Sequence, residues 1–243
     1  MRINLQPAYI LHSRPYRDSS LLLEVFTAEH GRISLVGRGS RRRARGGSTG
    51  ALLQPFTPLL VSFSGRSELR TLTAVEAVGM VIFLRGDSLY SGLYLNELLM
   101  RLLHRHDPHQ TLFALYGQAL QDLASSNPPD ATLRQFEFRL LDDLGYGFEL
   151  AAQGGSGEPV RADGWYHFNP DVGLVAGEQG SDPAQPTFHG ADLLEMAVGK
   201  FDGGVRLTAK RLMRQALAQH LGAAPLKSRD LFRGRGMATG EKQ

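Results

Sequence analysis

The pattern of apolar and polar positions predicts β-structure in the first 80 residues and helices after them. Five short segments are rich in Leu, Val, Ile and Phe, and turn-forming residues separate them. Gly31, which follows Glu29 and His30, is expected to take a positive φ in a hairpin turn. Five strands of this length match the scale of a small β-barrel such as an OB-fold. The segments are Ala8–Ser13, Ser20–Thr27, Gly31–Val36, Leu59–Phe63 and Leu69–Ala77.

A basic segment separates the third and fourth predicted strands. Residues 37–50 hold five Arg and five Gly among 14 residues, and no packed core could bury that composition. We therefore expect a mobile basic loop that projects from the barrel.

Helical periodicity follows the predicted barrel. Apolar residues recur every three to four positions over 94–103, 112–123 and 133–144, which predicts three amphipathic helices in a small bundle. Residues 151–190 are rich in Gly and Pro and predict loops with short strands. A last helix is predicted over Thr208–Leu221, with its basic residues on the side opposite the apolar ones.

These elements predict an α+β protein in four parts. An OB-fold β-barrel spans 1–80, a helical bundle 81–150 and a loop-rich subdomain 151–205. A basic C-terminal helix and tail, 206–243, is expected to pack on the helical domain. The 243 residues, 42% of them hydrophobic, are enough to build such cores.

The net charge of +3 is distributed unevenly. Residues 1–80 carry 11 Arg and five acids, whereas residues 206–235 carry eight basic residues and only one acid, Asp230. Basic blocks of this kind suit a phosphate backbone, because each neutralised phosphate releases counterions. Two solvated surfaces without a ligand are the alternative reading of the same clusters.

Motifs for catalysis and metal binding are weak. The absence of cysteine excludes disulfides, thiolate catalysis and Cys-ligated zinc, and no P-loop or nucleophile elbow occurs. His104, His106 and His109 with Asp107 form a weak candidate metal cluster, and Asp142 with Asp143 a weak candidate carboxylate pair. Surface positions explain both groups better, so we expect no catalytic residue, no metal and no cofactor.

The sequence also carries no signal for a membrane. No apolar run approaches the ~20 residues of a membrane helix, and the first residues do not form a signal peptide. A cytoplasmic location is therefore expected.

Seven sequence blocks, in order along the chain, resemble the RecO family of bacterial recombination mediators in DNA repair. The blocks are Leu11–Leu23 (LHSRPYRDSSLLL), Gly31–Val36 (GRISLV), Leu53–Leu59 (LQPFTPL), Leu89–Leu99 (LYSGLYLNELL), Leu133–Glu137 (LRQFE), Leu144–Gly147 (LGYG) and Pro225–Phe232 (PLKSRDLF). The resemblance implies an N-terminal OB-fold, a helical domain and a C-terminal region that holds a Cys₄ zinc site in many members. Because residues 151–190 contain no cysteine, this chain resembles the zinc-free branch, and packing alone is expected to hold that region.

The resemblance also implies partners. These are single- and double-stranded DNA, the protein RecR, recombinase RecA indirectly, and the acidic C-terminal tail of single-strand-binding protein (SSB). It implies annealing of complementary strands and loading of recombinase onto SSB-coated single strands in the RecF pathway. A metal-dependent nuclease and a general OB-fold RNA- or DNA-binding protein are the alternative functions.

Candidate binding residues follow from the basic blocks and from the family's tail-binding helix. The SSB tail ends in a phenylalanine carboxylate, which needs an apolar pocket and a guanidinium; Arg134 is the candidate cation, and an ion pair with Glu137 or Asp130 is its structural alternative. Tyr9, Tyr16 and Phe63 are candidates either for base stacking or for the core. The candidate DNA-binding residues are Arg14, Arg17, Arg32, Arg38, Arg41, Arg42, Arg43, Arg45, Lys210, Arg211, Arg214, Lys227 and Arg229. The candidate tail-binding residues are Leu98, Tyr116, Leu133, Arg134 and Phe136.

Overall fold

A computed structural model describes residues 2–40, 49–125, 128–180 and 185–232. The chain forms two compact units. One holds the described residues up to 125 and again from Pro225 onward, and the other runs from Pro128 to Ala224. The predicted division into four parts stays a prediction.

The first unit contains the closed five-stranded barrel that the sequence pattern predicts. The strands pair in the order β1-β2-β3-β5-β4, with β4 closing on β1 and with β3 and β5 parallel, as in an OB-fold. Inward-pointing apolar residues from all five strands fill the barrel. The strands are β1 (Arg2–Tyr16), β2 (Ser20–Thr27), β3 (Gly31–Gly37), β4 (Leu59–Ser64) and β5 (Leu69–Ala77).

Strand β1 is longer than its apolar pattern predicts. Residues 2–8 pair with β4 and residues 8–16 pair with β2, so one strand closes the barrel by serving both neighbours. The register shifts between Ile3 and Gln6, where Leu5 takes a positive φ of 50°. Polar residues at both ends of β1 concealed its length, because backbone pairing and not apolar burial holds them in the sheet.

Helices complete the first unit. They are α1 (Thr49–Leu52), α2 (Asp87–Leu102) and α3 (Gln110–Ala124), and residues 228–232 form a further helical turn. Tyr9 of β1 contacts the rings of Phe113 and Tyr116 on α3, at centroid distances of 5.4 and 5.1 Å. Asn96 of α2 donates a hydrogen bond to the Leu11 carbonyl at 2.9 Å and accepts one from the Tyr116 hydroxyl at 2.5 Å. This buried network connects the barrel to both helices.

The second unit combines helices with a small antiparallel sheet in the order β7-β6-β8. The buried residues of α4 and α6 are mostly apolar at helical spacing, and the two helices pack together. The elements are α4 (Pro129–Asp143), β6 (Trp165–Asn169), β7 (Gly173–Gly177), β8 (Thr187–His189), α5 (Gly190–Ala197), a 3₁₀ turn (Gly203–Val205), and α6 (Arg206–Leu221).

Side-chain hydrogen bonds and close backbone contacts stabilise the cysteine-free region of this unit. Gln153 accepts a hydrogen bond from the Ala176 amide at 3.2 Å and donates one to Glu158 at 3.3 Å. The Gly154 amide donates to the Leu174 carbonyl at 2.7 Å, and a Cβ at Gly154 would lie only 1.4 Å from a backbone oxygen. The buried Tyr166 hydroxyl accepts from the Arg161 amide at 2.7 Å. Specific hydrogen bonds therefore act here alongside packing.

Candidate nucleic-acid interface

Three of the predicted DNA-binding arginines lie at one end of the barrel. Residues 17–19 connect β1 to β2, and Leu21 of β2 pairs with Gly37 at the end of β3. Arg14, Arg17 and Arg38 are exposed beside this junction, and the Arg17 guanidinium lies 5.3 Å from the ring centroid of Tyr16. Strand pairing thus brings together cations that are up to 24 positions apart in the chain. Four others, Arg41, Arg42, Arg43 and Arg45, belong to the basic segment and lie outside the described residues.

The candidate stacking residues differ in burial. Tyr9 and Phe63 are buried, and Phe63 belongs to the core of the barrel. Tyr16 is half-buried at the barrel end that carries Arg14, Arg17 and Arg38. It is therefore the one of the three aromatic candidates with a face accessible to a base.

Arg32 lies in an ion-pair network on the barrel wall. Its guanidinium is 3.3 Å from Glu24 and donates to the Leu103 carbonyl at 3.1 Å, and Arg105 contacts Glu24 at 3.1 Å and also bonds to Ser34. Burial lowers the pKa of Arg32, although Glu24 acts to raise it. The Arg32 guanidinium therefore helps to hold the α2–α3 connection against β3. Sequence reasoning missed Glu24 and Arg105, which no local pattern connects to Arg32.

The other basic candidates lie on α6 and on the C-terminal segment. Lys210, Arg211 and Arg214 are exposed on α6, away from its buried apolar residues. Lys227 is exposed and Arg229 half-buried in the segment that returns to the first unit. The three residues of α6 belong to the second unit, and Lys227 and Arg229 belong to the first.

A buried carboxylate holds the returning C-terminal segment. Glu97 of α2 accepts hydrogen bonds from the backbone amides of Lys227 and Ser228 at 2.9 and 2.8 Å, and from the Ser228 hydroxyl at 2.6 Å. Arg101 lies 3.1 Å from Glu97 and donates to the Pro225 carbonyl at 2.6 Å. Burial alone would raise the pKa of Glu97, but these hydrogen bonds and Arg101 lower it below its ordinary value. In the sequence, the signal for this contact is the position of the Glu97 carboxylate within the apolar stripe of a helix.

The residues predicted to bind the SSB tail divide between the units. Leu98 and Tyr116 are fully buried in the first unit, and burial raises the pKa of Tyr116 well above its ordinary value. Leu133, Arg134 and Phe136 lie on α4 in the second unit, and all three are buried. The assignment of these five residues to tail binding stays a prediction.

Arg134 makes a buried ion pair with a residue of its own helix. Its guanidinium is 2.6 Å from the Glu137 carboxylate, and the two residues are 7% and 0% exposed. The Nε atom of Arg134 is also buried and has no hydrogen-bond partner within the described residues. Arg134 thus has the structural partner that the sequence offered as an alternative, and it also retains an unused donor.

Two negative findings concern the described part of the chain. It contains no group of three or more His, Asp or Glu side chains that could hold a metal ion. His109 lies 3.5 Å from Asp107, whereas His106 lies 3.4 Å from Arg70, so these two histidines have different neighbours. No helix in the same residues has the length and apolarity needed to cross a membrane.

The fold and its exposed cations define a protein with an N-terminal OB-fold barrel that carries a basic end. Two family models match the chain: Recombination protein O N terminal over residues 1–81, and Recombination protein O C terminal over residues 84–230. The chain therefore belongs to the RecO family.

Curated relatives agree over nearly the full length. The chain is 46% identical over 233 residues to a DNA repair protein RecO from Methylococcus capsulatus, covering 96% of this chain and 94% of the relative. It is 50% identical over 232 residues to a DNA repair protein RecO from Pseudomonas putida strain GB-1, covering 95% and 97%. A relative of the same name from Stutzerimonas stutzeri is 47% identical over 230 residues, covering 93% and 92%.

Proposed function

We propose that this chain is a DNA-binding mediator of repair and recombination that acts without catalysis, in the cytoplasm and at the nucleoid. It binds single- and double-stranded DNA and anneals complementary strands. Two facts support the proposal: the relatives are named DNA repair protein RecO, and the barrel gathers Arg14, Arg17 and Arg38 at one end. The clustering of these three arginines is the main observation in support of the proposal.

The proposed mechanism is electrostatic. Exposed guanidinium groups neutralise phosphates and release condensed counterions, which holds the strand without reading its sequence. Tyr16 offers a face on which a base stacks. Two strands whose charge is screened in this way approach and pair, and the energy comes from base pairing alone, so nucleotide hydrolysis is not needed.

The barrel-end cations predict a salt effect. In Arg14→Gln/Arg17→Gln/Arg38→Gln, the slope of log affinity against log salt for a 30-nucleotide oligo-dT is expected to become shallower by about 2, because each lost contact with a single strand removes about 0.7. Fluorescence anisotropy between 50 and 300 mM salt measures this slope. The control Arg85→Gln/Arg139→Gln/Arg161→Gln removes the same charge from arginines elsewhere and should leave the slope nearly unchanged. Equal slopes for the two triple variants would refute a localised interface.

Two alternative functions give different results with the same protein. A metal-dependent nuclease would shorten labelled DNA in the presence of Mg²⁺ or Mn²⁺, whereas a mediator leaves it intact and accelerates annealing. A general RNA- or DNA-binding OB-fold protein would lose bound DNA equally to RNA and DNA competitors. The described residues offer no group of three or more His, Asp or Glu side chains that a metal-dependent nuclease could use to hold its metal.

We further propose that the protein acts with RecR to load recombinase RecA onto SSB-coated single strands. The acidic tail of SSB would recruit it, and the Arg134 guanidinium would receive the terminal carboxylate once neighbouring side chains move to expose its buried, unused Nε–H. The neighbouring ion pair with Glu137 would orient the guanidinium.

Removal of Arg134 is expected to weaken binding of a fluorescent SSB-tail peptide about ten-fold, which corresponds to loss of one charge-assisted pair. Arg139→Ala, further along the same helix and more accessible, is the matched control. Because Arg134→Ala leaves Glu137 buried without this cation, Arg134→Ala/Glu137→Gln is measured as well, and thermal melts accompany each titration. Tail affinity equal to wild type in both Arg134 variants would remove Arg134 from the site.

A further inference from the structure

An open groove of about 1050 Å³ lies within the second unit. The C-terminal end of α4, the segment 145–157, the turn after β6 and the C-terminal end of α6 form its walls. Phe148 lies in it between Phe138 and Phe168, at ring-centroid distances of 5.6 and 4.8 Å, and these rings provide an apolar floor. Among the described residues, none of those predicted for DNA or SSB-tail binding lines this groove.

An aromatic ring stands on one wall of the groove. Tyr146 stacks on His220 with a centroid distance of 3.9 Å and an interplanar angle of 23°. The tyrosine is still 51% exposed, so the groove retains access to its ring. Such a ring, supported from behind, attracts a cation or a planar group placed on its accessible face.

The charge of the groove indicates which of these ligands, a cation or a planar group, it would bind. Three carboxylates, Asp142, Glu149 and Asp171, line it, and Arg139 is its one guanidinium among the described residues. None of the three acids forms a salt bridge within the described part of the chain. Burial lowers the pKa of His220, which favours the neutral imidazole. A nucleic-acid phosphate would be repelled here, whereas a cation would be attracted.

A peptide with arginine or lysine side chains satisfies all of these features. The aliphatic stem of such a side chain covers apolar surface while its charged end reaches a ring or a carboxylate. We infer that this groove binds a basic peptide segment of a partner protein, with one cationic side chain over Tyr146 and others beside Asp142, Glu149 and Asp171. This binding is independent of the DNA-binding function proposed above.

The test uses the full chain and two synthetic probes. A fluorescent ten-residue peptide that alternates Arg and Gly is compared, at 100 mM salt, with the same peptide carrying Gln in place of Arg. We expect measurable binding of the arginine peptide only. Tyr146→Ala should weaken it about five-fold through loss of the cation–π contact, and Asp142→Asn/Asp171→Asn about ten-fold.

A matched control distinguishes the effect of the groove's carboxylates from the effect of the protein's overall charge. Glu178→Gln/Asp202→Asn removes the same charge from exposed acids outside the groove and should leave the affinity within two-fold of wild type. Absence of binding to the wild type, or equal losses in the two double variants, would overturn the inference. Tighter binding of oligo-dT that depends on Tyr146 would overturn it as well and assign the groove to nucleic acid. Oligo-dT affinity of each variant is measured in parallel, so failure of the groove and failure of the DNA-binding proposal are told apart.

Discussion

Replacement of Gly31 by alanine is expected to lower the free energy of unfolding by about 3–4 kcal/mol, as overpacking adds to a left-handed backbone strain. Gly31 begins β3 with a φ of 59°, and a Cβ there would lie 1.9 Å from the carbonyl oxygen of Asp107. Backbone atoms cannot rotate away as a side chain does. The substitution must therefore displace the α2–α3 connection from the barrel.

Hydrogen bonds and ion pairs between this connection and the barrel explain the size of the effect. The His106 amide donates to the Arg32 carbonyl at 3.0 Å, and Arg32 donates to the Leu103 carbonyl across the same boundary. Arg105 bonds to Ser34 and Glu24 beside them. Displacement of the connection weakens all of these interactions together, because they share one boundary.

Gly39→Ala is the matched control for Gly31→Ala. Gly39 has a similar φ of 67°, but no atom of the described residues lies within 4 Å of its added Cβ. The control should therefore cost only about 1 kcal/mol, which is the backbone strain alone. Urea unfolding of both variants at pH 7 measures the difference. Equal losses of stability would mean that the connection does not pack on Gly31.

Glu97→Gln is expected to release the C-terminal segment, at a cost of about 3 kcal/mol to its local stability. The carboxylate accepts from the two backbone amides and the Ser228 hydroxyl, and the glutamine amide group has only one acceptor and would present N–H groups to donors. Hydrogen exchange of residues 226–232 should become much faster, while the barrel strands keep their protection. Glu76→Gln, an exposed carboxylate on β5, is the control and should change neither.

The same carboxylate gives the segment a pH dependence of known sign. Because the folded-state pKa of Glu97 lies below its ordinary value, its contribution is fully present above the ordinary pKa of about 4.3. It is lost as the pH falls through the lowered, folded-state value. Exchange of residues 226–232 should therefore accelerate between about pH 5 and pH 3 in the wild type, beyond the intrinsic change, and Glu97→Gln should remove this extra acceleration. An unchanged pH profile in the variant would place the titrating group elsewhere.

Most of the fold was predictable from local pattern. Apolar alternation and turn residues located all five barrel strands, and helical periodicity located α2, α3, α4 and α6. Such patterns can be recognised because, in a strand or an amphipathic helix, an apolar side chain marks a buried position and a polar one an exposed position. The ends of β1 were not readable, since polar residues there are held by backbone pairing with β2 and β4.

For the binding residues, the sequence predicted the kind of side chain but not its exposure or its partners. The sequence indicates which arginines exist and that they cluster, but Arg14, Arg17 and Arg38 are exposed whereas Arg32 and Arg134 are partnered by acids. Glu137 was one of the two acidic partners that the sequence offered for Arg134, because i, i+3 neighbours on a helix share a face. The partner of Arg32, on the adjacent strand, was missed because an ion pair between strands depends on the register of their pairing.

The sequence by itself determined the fold class, the family and the basic character of the protein, because these follow from periodicity, motif order and composition. Only the tertiary structure decided which cations are exposed, what Glu97 holds, and that Tyr146 and three carboxylates share one groove. The physical reason is the distance along the chain. Contacts between residues such as Glu97 and Ser228 arise from chain topology and carry no local periodic signal.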